Sequence, residues 1–345
     1  MRVEDVKKIG VFGAGTMGPG LAQLFAAAGY DVALYSRKAE TLEKAMAMVR
    51  ANFATIIAHG AAKGAAHGSP TQAEADAAIE RIKPTQSLEE AGGDADFVME
   101  TIAESKEAKT QLYSELDAIC PERAVFASNT SSLNVFEFIP ARRLPRSVCA
   151  HFFTPAHIIP LVEVVPGPET TVDTLDLTAA LMEACGKSPV RMKRFGPGFI
   201  VNRIQRSIGE TAMDMIQEGL VEPEEIDTAI KASLGIRLPI VGVMQTFDFQ
   251  GLDMLLAYQK NVGKVYSFVE ERVEKGYLGA KTSRGIYDYQ GRSEVEILRK
   301  RDELYLQMQG RAGERQRQQM PALGLTHNLG GLPHLNVCSI SIIGQ

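Results

Sequence analysis

A short glycine-rich turn near the start of the chain constrains its fold more than any other feature. The apolar segment 9–12 predicts a buried strand, and Gly13, Gly15 and Gly18 follow it at the G-x-G-x-x-G spacing. Apolar residues then recur at helical spacing over 21–28. A strand, a glycine turn and a helix in this order suit a dinucleotide pyrophosphate, because the turn is tight and the helix N-terminus offers free N–H groups. The expected cofactor contacts in this turn are Gly13, Gly15, Thr16, Met17 and Gly18.

Strand and helix patterns alternate through the first two hundred residues. Such alternation, with several continuous apolar runs, is typical of a doubly wound sheet of parallel strands covered on both faces. An Ala-rich helical excursion over 40–70, ending in a flexible loop, interrupts the pattern. The predicted strands are 8–13, 31–36, 95–101, 124–128, 147–153, 161–166 and 188–193.

The strand pattern stops after residue 195, and helical periodicity follows. We therefore predict the α/β fold class, with an N-terminal Rossmann-type dinucleotide-binding domain and an all-helical C-terminal domain. The predicted domains are residues 1–195, 196–291 and a C-terminal extension over 292–345. Helices are predicted over 202–220, 223–235, 251–276 and 292–320, and an apolar, β-prone stretch over 325–344.

Composition excludes several classes of protein. The 345 residues are 45% hydrophobic and 23% charged with a net charge of −5, which argues against a nucleic-acid partner. The sequence has no secretory signal and no apolar run of membrane-spanning length, so we expect no membrane association and a cytoplasmic location. Four scattered cysteines without a C-x-x-C pair argue against a metal site and a disulfide framework.

The end of the second predicted strand bears on the cofactor. An acidic residue usually stands there and binds the ribose 2′-hydroxyl of NAD. Here Ser36 occupies that position and is followed by Arg37 and Lys38. A hydroxyl and a guanidinium suit a 2′-phosphate, so the residues favour NADP over NAD, unless the two cations are simply solvated loop residues. The cofactor is therefore expected to be NADP or NAD.

Four downstream residues together predict a site that oxidises an alcohol. His151 ends one predicted strand and Glu163 lies on the next apolar strand, where a carboxylate needs a partner. An imidazole held by a carboxylate has a fixed tautomer and is a better base. Ser131 and Asn202 could hydrogen-bond a substrate oxygen. Singly, His151 could be a core histidine and the other two could cap helices.

These residues also carry a resemblance to a known family. Over about residues 5–290 the chain resembles the L-3-hydroxyacyl-CoA dehydrogenases, which include 3-hydroxybutyryl-CoA dehydrogenase. The matching motifs are Gly13–Gly18, Glu100–Glu104, Ser128–Ser132, His151–Pro155, Pro197–Arg203 and Gly279–Tyr287.

The resemblance implies a function and roles for individual residues. It implies hydride transfer between an NAD(P) cofactor and the C3 hydroxyl carbon of a small-molecule 3-hydroxyacyl-CoA, as in fatty-acid β-oxidation, by a homodimer formed through the helical domain. It makes His151 and Glu163 the catalytic pair, and Ser131 and Asn202 the substrate-holding residues. The residues expected near the cofactor are Glu104, Lys109, Asn129, Ser131, Thr154 and Lys281.

The chain departs from the family pattern at several places. Thr154 and Ser36 stand where the family usually has Asn and Asp, and the excursion over 51–70 offers only Lys63 where the family has several CoA-binding lysines. Segments 159–170, 202–205 and 218–221 resemble the L-gulonate 3-dehydrogenase, or lambda-crystallin, branch, which acts on a free 3-hydroxy acid. The Lys281–Tyr287 motif instead favours the acyl-CoA branch.

Two alternatives therefore stay open, and the tail adds a separate question. The chain could act on a free hydroxy acid, or could be a non-catalytic, crystallin-like nucleotide-binding protein. Residues 325–344 resemble the C-terminal end of thiolases, but the stretch is too short to be a thiolase. We expect it to be an appended segment with no catalytic role.

Overall fold

The computed structural model describes residues 1–63 and 70–319, and their side chains over 1–60 and 70–310. The chain divides into two compact units, Met1–Glu210 and the part from Thr211 onward. The domain boundaries given above stay a prediction. The predicted tail at 325–344 and the loop at 64–69 lie outside the described residues.

The first unit is built on one eight-stranded sheet with the strand order β3-β2-β1-β4-β5-β6-β7-β8. Neighbouring strands are parallel except β6 and β7, which are antiparallel. The doubly wound α/β prediction is thereby confirmed, with one antiparallel pair that the apolar pattern did not reveal. The strands are β1 (Lys8–Phe12), β2 (Asp31–Tyr35), β3 (Ile82–Thr85), β4 (Phe97–Glu100), β5 (Val125–Ser128), β6 (Ser147–Phe152), β7 (Leu161–Pro166) and β8 (Ser188–Arg191).

Strand β3 was not predicted from the sequence. It pairs with β2 at the edge of the sheet, and its two central residues, Lys83 and Pro84, are exposed. An edge strand with a lysine and a proline lacks the apolar run of a buried strand.

Helices cover both faces of the sheet, and alternate strand residues supply two separate cores. On β4, Phe97 and Met99 belong to the core under α1, α2, α3 and α6, whereas Val98 belongs to the core under α4 and α5. The predicted helical excursion is confirmed as α2. The helices of this unit are α1 (Gly18–Ala27), α2 (Ala39–Lys63), α3 (Gln72–Glu80), α4 (Leu88–Gly92), α5 (Lys106–Ile119), α6 (Val172–Ala184) and α7 (Val201–Gln217). Helix α7 extends beyond Glu210, the last residue of this unit.

The described part of the second unit is mainly helical, as predicted, with isolated β-bridges at Gly279–Arg284 and Arg284–Asp288 between its last two long helices. A π-helical turn at Ile230–Leu234 links α8 to α9. Helix α9 was not predicted, because Gly235, Pro239 and Gly242 interrupt its pattern and the backbone leaves helical geometry at Gly242 (φ 65°). The helices are α8 (Pro223–Ala229), α9 (Gly235–Gln250), α10 (Leu252–Asn261), α11 (Ser267–Glu274) and α12 (Glu294–Gln319). No helix in the described ranges has the length and apolarity to cross a membrane.

Candidate active site

The glycine turn between β1 and α1 has the shape that a pyrophosphate requires. Gly13 has a φ of +116°, and a Cβ there would lie 2.5 Å from the carbonyl oxygen of Thr101. A Cβ on Gly18 would lie 2.0 Å from the carbonyl oxygen of Gly13. A Cβ on Gly15 would instead meet nothing within 4 Å. The outer glycines are thus needed for packing, and the middle one leaves the backbone open to a ligand.

The N-terminus of α1 completes this turn. Met17 is the N-cap residue and makes no side-chain cap hydrogen bond, so the first N–H groups of the helix keep their hydrogen-bonding capacity. These N–H groups and the positive end of the helix dipole suit an anionic ligand. The segment Gly13–Gly18, including Thr16, therefore fits a dinucleotide pyrophosphate.

The antiparallel register of β6 and β7 places His151 directly opposite Glu163. The His151 Nδ1 atom lies 2.7 Å from the Glu163 Oε2 atom, and both side chains are buried. The other carboxylate oxygen accepts hydrogen bonds from the backbone N–H groups of Ile200 (2.9 Å) and Val201 (3.0 Å) at the start of α7. Three donors therefore converge on the Glu163 carboxylate.

These contacts determine the charge of Glu163 and the tautomer of His151. Burial raises the pKa of Glu163, but the hydrogen bonds from His151, Val201 and Ile200 outweigh burial and hold that pKa below its ordinary value. Because the carboxylate only accepts, His151 must carry its proton on Nδ1. Its Nε2 atom is then the acceptor that a general base needs.

Ser131 lies on a loop organised by Glu104. The Glu104 Oε1 atom accepts hydrogen bonds from Thr130 Oγ1 (2.6 Å), Ser131 N (2.9 Å) and Ser131 Oγ (3.3 Å). Burial raises the pKa of Glu104, but the Thr130 hydrogen bond, the Lys109 charge and the N–H groups of Ser131 and Ser132 together lower it. Ser131 itself is exposed, so its hydroxyl can reach a bound molecule while its backbone is held.

Lys109 is buried beneath this loop rather than exposed. Its side chain is 1% exposed, and its Nζ atom lies 2.6 Å from Glu100 Oε1 and 3.4 Å from Glu104 Oε2. Glu100 also accepts hydrogen bonds from Tyr113 OH (2.8 Å) and Ser128 Oγ (2.6 Å). Lys109 thus links the fully buried Glu100 to the partly exposed Glu104.

Sequence reasoning missed the part that Glu100 plays. It stands at the end of an apolar strand, which is the signal that singled out Glu163. A carboxylate in such a place needs buried donors, and Glu100 has them.

Asn129 and Thr154 have protein partners in this structure. Asn129 donates to Thr101 Oγ1 (3.2 Å) and accepts from the Phe152 N–H (2.8 Å), so it ties the ends of β4 and β6 together. Thr154 donates to the sulfur atom of Met17 (3.0 Å), which links the segment after β6 to the glycine turn.

Ser36 and Arg37 directly follow β2. The Ser36 N–H donates to the Thr85 carbonyl (3.2 Å), and the Arg37 carbonyl accepts from Gln86 (2.9 Å), so the backbone here is held. The Arg37 side chain is exposed, and in the described part of the chain its guanidinium has no hydrogen bond or ion pair.

Asn202 and Lys281 belong to different units. Asn202 is half-buried in the first turn of α7, next to Val201, whose N–H binds Glu163. Lys281 lies in the second unit, where its Nζ atom is 2.6 Å from both carboxylate oxygens of Asp253. Across residues 1–63 and 70–319, no group of three or more His, Cys, Asp or Glu residues is placed to hold a metal ion.

Comparison with known proteins identifies the family. A family model described as "3-hydroxyacyl-CoA dehydrogenase, NAD binding domain" matches residues 8–195, and one described as "3-hydroxyacyl-CoA dehydrogenase, C-terminal domain" matches residues 198–289. The chain belongs to the 3-hydroxyacyl-CoA dehydrogenase family. The resemblance drawn from the sequence is thereby confirmed.

Relatives within this family carry different names. A probable 3-hydroxybutyryl-CoA dehydrogenase of Bacillus subtilis is 36% identical over 295 residues, covering 83% of this chain and 98% of the relative. An L-carnitine dehydrogenase of Streptomyces griseus is 34% identical, covering 72% of this chain and 71% of the relative. A lambda-crystallin homolog of Homo sapiens is 30% identical, covering 71% of this chain and 75% of the relative.

Solved structures of the family share the fold. A 3-hydroxyacyl-CoA dehydrogenase from Archaeoglobus fulgidus superposes with a TM-score of 0.70 at 26% identity, covering 92% of this chain and 99% of that one. A (S)-3-hydroxybutyryl-CoA dehydrogenase from Ralstonia eutropha has a TM-score of 0.61 at 33% identity, covering 83% of this chain and 100% of that one.

Proposed function

We propose that this chain is an NAD(P)-dependent 3-hydroxyacyl-CoA dehydrogenase of fatty-acid metabolism. The observation that carries the proposal is the buried His151–Glu163 pair, which sits at the same edge of the sheet as the glycine turn. Ligands of open α/β sheets bind beyond the carboxyl ends of the parallel strands, and both features lie there. A base and a dinucleotide cradle at one edge are what an alcohol dehydrogenase needs.

The roles of the catalytic pair follow from its hydrogen bonds. When bound, the nicotinamide supplies the hydride chemistry, taking the C3 hydrogen with its electron pair on oxidation and returning it on reduction. His151 takes the proton of the substrate hydroxyl on Nε2 during oxidation and gives one back during reduction. Glu163 holds the imidazole through Nδ1 and stabilises its cationic form.

Ser131 and Asn202 are proposed to position the substrate oxygen. The Ser131 hydroxyl lies 3.3 Å from Glu104, so its proton has an acceptor in the free protein and can turn to a substrate oxygen when one binds. Asn202 follows the N–H groups that bind Glu163, so the first turn of α7 links it to the catalytic pair.

The proposed cofactor contacts are those expected from the sequence, with NADP favoured over NAD. Ser36 places no carboxylate at the end of β2, and the guanidinium of Arg37 is exposed. A 2′-phosphate would meet a hydroxyl and a cation there rather than a like charge. Glu104, Asn129, Thr154 and Lys281 are retained as proposed cofactor contacts, whereas the buried Lys109 is proposed to act through its ion pair with Glu104.

Two substrate classes are to be separated by experiment. The 3-hydroxybutyryl-CoA dehydrogenase relatives, which match over nearly their whole length, favour an acyl-CoA. The L-carnitine dehydrogenase and lambda-crystallin relatives, at similar identity, favour a free 3-hydroxy acid as the second candidate. A non-catalytic role is disfavoured, because it would not require the His151–Glu163 pair.

The test is absorbance of the reduced nicotinamide with acetoacetyl-CoA, acetoacetate, L-carnitine and L-gulonate, each with both cofactors. We expect the highest kcat/KM with the CoA thioester, and a kcat at least about 100-fold lower with His151→Gln. Turnover of the free acids alone would replace the first candidate with the second. No turnover of any of them would remove both.

We also propose a homodimer through the helical segments. Helix α7 buries none of its residues in the single chain, and large apolar side chains along α7, α9 and α10 are exposed. Apolar surface of this extent is typical of an interface, and identical chains pair most often by two-fold symmetry. The exposed residues are Ile204, Ile208, Met213, Ile216, Val243, Met244, Met254 and Tyr258. No nucleic-acid or membrane partner is proposed, and the proposed location is the cytoplasm.

A further inference from the structure

A buried lysine outside the predicted site holds a segment next to it. Lys187 lies between α6 and β8 and is 8% exposed. Its Nζ atom donates to the carbonyl oxygens of Ala156 (2.5 Å) and Ile159 (2.8 Å). Within the ranges that the structure describes, it forms no ion pair with a carboxylate. A buried ammonium is costly without partners, so these carbonyl groups are what make its burial tolerable.

Both carbonyl groups belong to the segment that joins the two catalytic strands. This inter-strand loop, residues 153–160, connects β6, which carries His151, to β7, which carries Glu163. Lys187 is itself fixed by its neighbours. Its own N–H donates to the Met182 carbonyl (2.9 Å), and the N–H of Ser188 donates to the Pro160 carbonyl (2.8 Å). The ammonium therefore ties the loop to the turn between α6 and β8.

The other side of the inter-strand loop lies against the nucleotide-binding turn. Thr154 donates to the sulfur atom of Met17. A Cβ built on Gly20 of α1 would lie 3.3 Å from His157 Nδ1 and 3.5 Å from Ala156 Cβ. The loop is thus packed closely on the first turn of α1, and any displacement of Ala156 changes that contact.

The start of the inter-strand loop also contacts the base. The ring of Phe153 meets the ring of His151 edge-on, with 4.6 Å between their centres. The loop therefore contacts the catalytic pair at one end and the glycine turn along its middle, and Lys187 holds it between them.

We propose that Lys187 is a positioning residue that clamps the inter-strand loop against the glycine turn and so sets the affinity for the dinucleotide. The proposal rests on the proposed function for the identity of that ligand. Lys187 acts only through the main chain of the loop and contacts neither reacting group.

The test compares Lys187→Met with Lys187→Arg. Methionine keeps an apolar stem of similar length and removes both donors, whereas arginine keeps the charge and the donors. Titration with NADH and NADPH, followed by nicotinamide fluorescence, should give a Kd at least about tenfold higher for Lys187→Met, since hydrogen bonds from a charged donor are lost. Lys187→Arg should recover most of the affinity. Lys193→Met, at an exposed lysine just beyond β8, is the matched control and should bind as the wild type does.

Hydrogen exchange adds a readout that does not depend on activity. Amides of residues 156–159 should exchange faster in Lys187→Met than in the wild type, while those of β1 keep their protection. Unchanged dinucleotide Kd with a lowered Tm would show that Lys187 only stabilises the fold, which overturns the proposal. So would unchanged exchange of the loop.

Two further outcomes are kept distinct. If Lys187→Met does not fold, Lys187→Gln, which keeps a shorter neutral donor, should show intermediate weakening of dinucleotide binding, and wild-type Kd in that variant would overturn the proposal. If the wild type turns over none of the substrates named above yet binds a dinucleotide, the proposed function fails, and the Kd and exchange comparisons still decide the role of Lys187.

Discussion

Replacement of Glu163 by glutamine tests the catalytic pair with little change of shape. The wild-type carboxylate accepts one hydrogen bond from His151 and two from the N–H groups of Ile200 and Val201. An amide has one oxygen to accept and one NH₂ group that only donates. The amide can therefore accept from His151 or from the N–H groups of Ile200 and Val201, but not from both.

The surrounding donors decide which way the amide turns. With its NH₂ group toward Ile200 and Val201, donors would face donors, and each unpaired buried N–H costs about 1–3 kcal/mol. With its oxygen toward them, the NH₂ group faces His151, which can adapt by moving its proton from Nδ1 to Nε2. The second arrangement keeps all three hydrogen bonds, with the one to His151 reversed in direction, so Glu163→Gln should fold with a Tm close to that of the wild type.

The adapted histidine is the wrong tautomer for catalysis. Its Nε2 atom then carries the proton and cannot accept one from the substrate hydroxyl. General acid–base catalysis contributes about 10²–10⁴-fold, or roughly 3–5 kcal/mol at 1.36 kcal/mol per factor of ten. We expect kcat to fall by that factor at saturating substrate and cofactor, with the dinucleotide Kd nearly unchanged.

A double variant sharpens the test. Because the two residues act as one unit, Glu163→Gln combined with His151→Gln should lower kcat little further than either change alone. A kcat for Glu163→Gln within about tenfold of the wild type would refute the reasoning. Losses that multiply in the double variant would refute it too, since they would show that the residues act independently.

Stability should also depend on pH through Glu163. Despite its burial, hydrogen bonds hold its folded-state pKa below the ordinary value of 4.5. Its contribution to the free energy of unfolding is therefore fully present above the unfolded pKa, and is lost as the pH falls through the folded one. The Tm of the wild type should drop more steeply than that of Glu163→Gln as the pH is lowered from 5 towards 3, which pH-dependent thermal unfolding measures.

Three further predictions concern the cofactor, the assembly and the tail. Ser36→Asp with Arg37→Ala should shift the ratio of kcat/KM with NADP to kcat/KM with NAD toward NAD. A wild-type kcat/KM at least about tenfold higher with NAD than with NADP would show that Arg37 is only a solvated loop cation. Light scattering should give the mass of a dimer at micromolar concentration, since the apolar face of α7 is otherwise exposed, and a monomer mass would contradict the interface. Truncation after Gln319 should leave kcat/KM within about twofold, as expected when no transition-state contact is lost. If the truncated protein remained a dimer but lost its activity, the tail would have a role in the active site.

The sequence alone was sufficient for the elements whose residues are neighbours in the chain. The glycine turn, the buried strands and α2 each occupy a continuous segment, so their periodicity reports burial directly. The same reasoning failed where burial is incomplete or the pattern is broken. Strand β3 is an exposed edge with Lys83 and Pro84, and α9 is interrupted by glycines and a proline.

The candidate site was predicted as a set of residue types, but only the tertiary structure decided how they meet. The sequence predicted that His151 and Glu163 form a pair, but the antiparallel register of β6 and β7 is what places them opposite each other. The N–H groups of Ile200 and Val201 reach Glu163 across 37 and 38 positions. Such contacts depend on strand order and register, which local periodicity does not encode.

Two buried charges show the same limit. Lys109 was expected at the cofactor, and the fold gives it Glu100 and Glu104 as partners beneath the loop of Ser131. Lys187 carried no signal in the sequence, because its partners are backbone carbonyl groups, which every residue has. Chemical type and local pattern are properties of the sequence, whereas the partner of a buried charge is set by how distant segments pack.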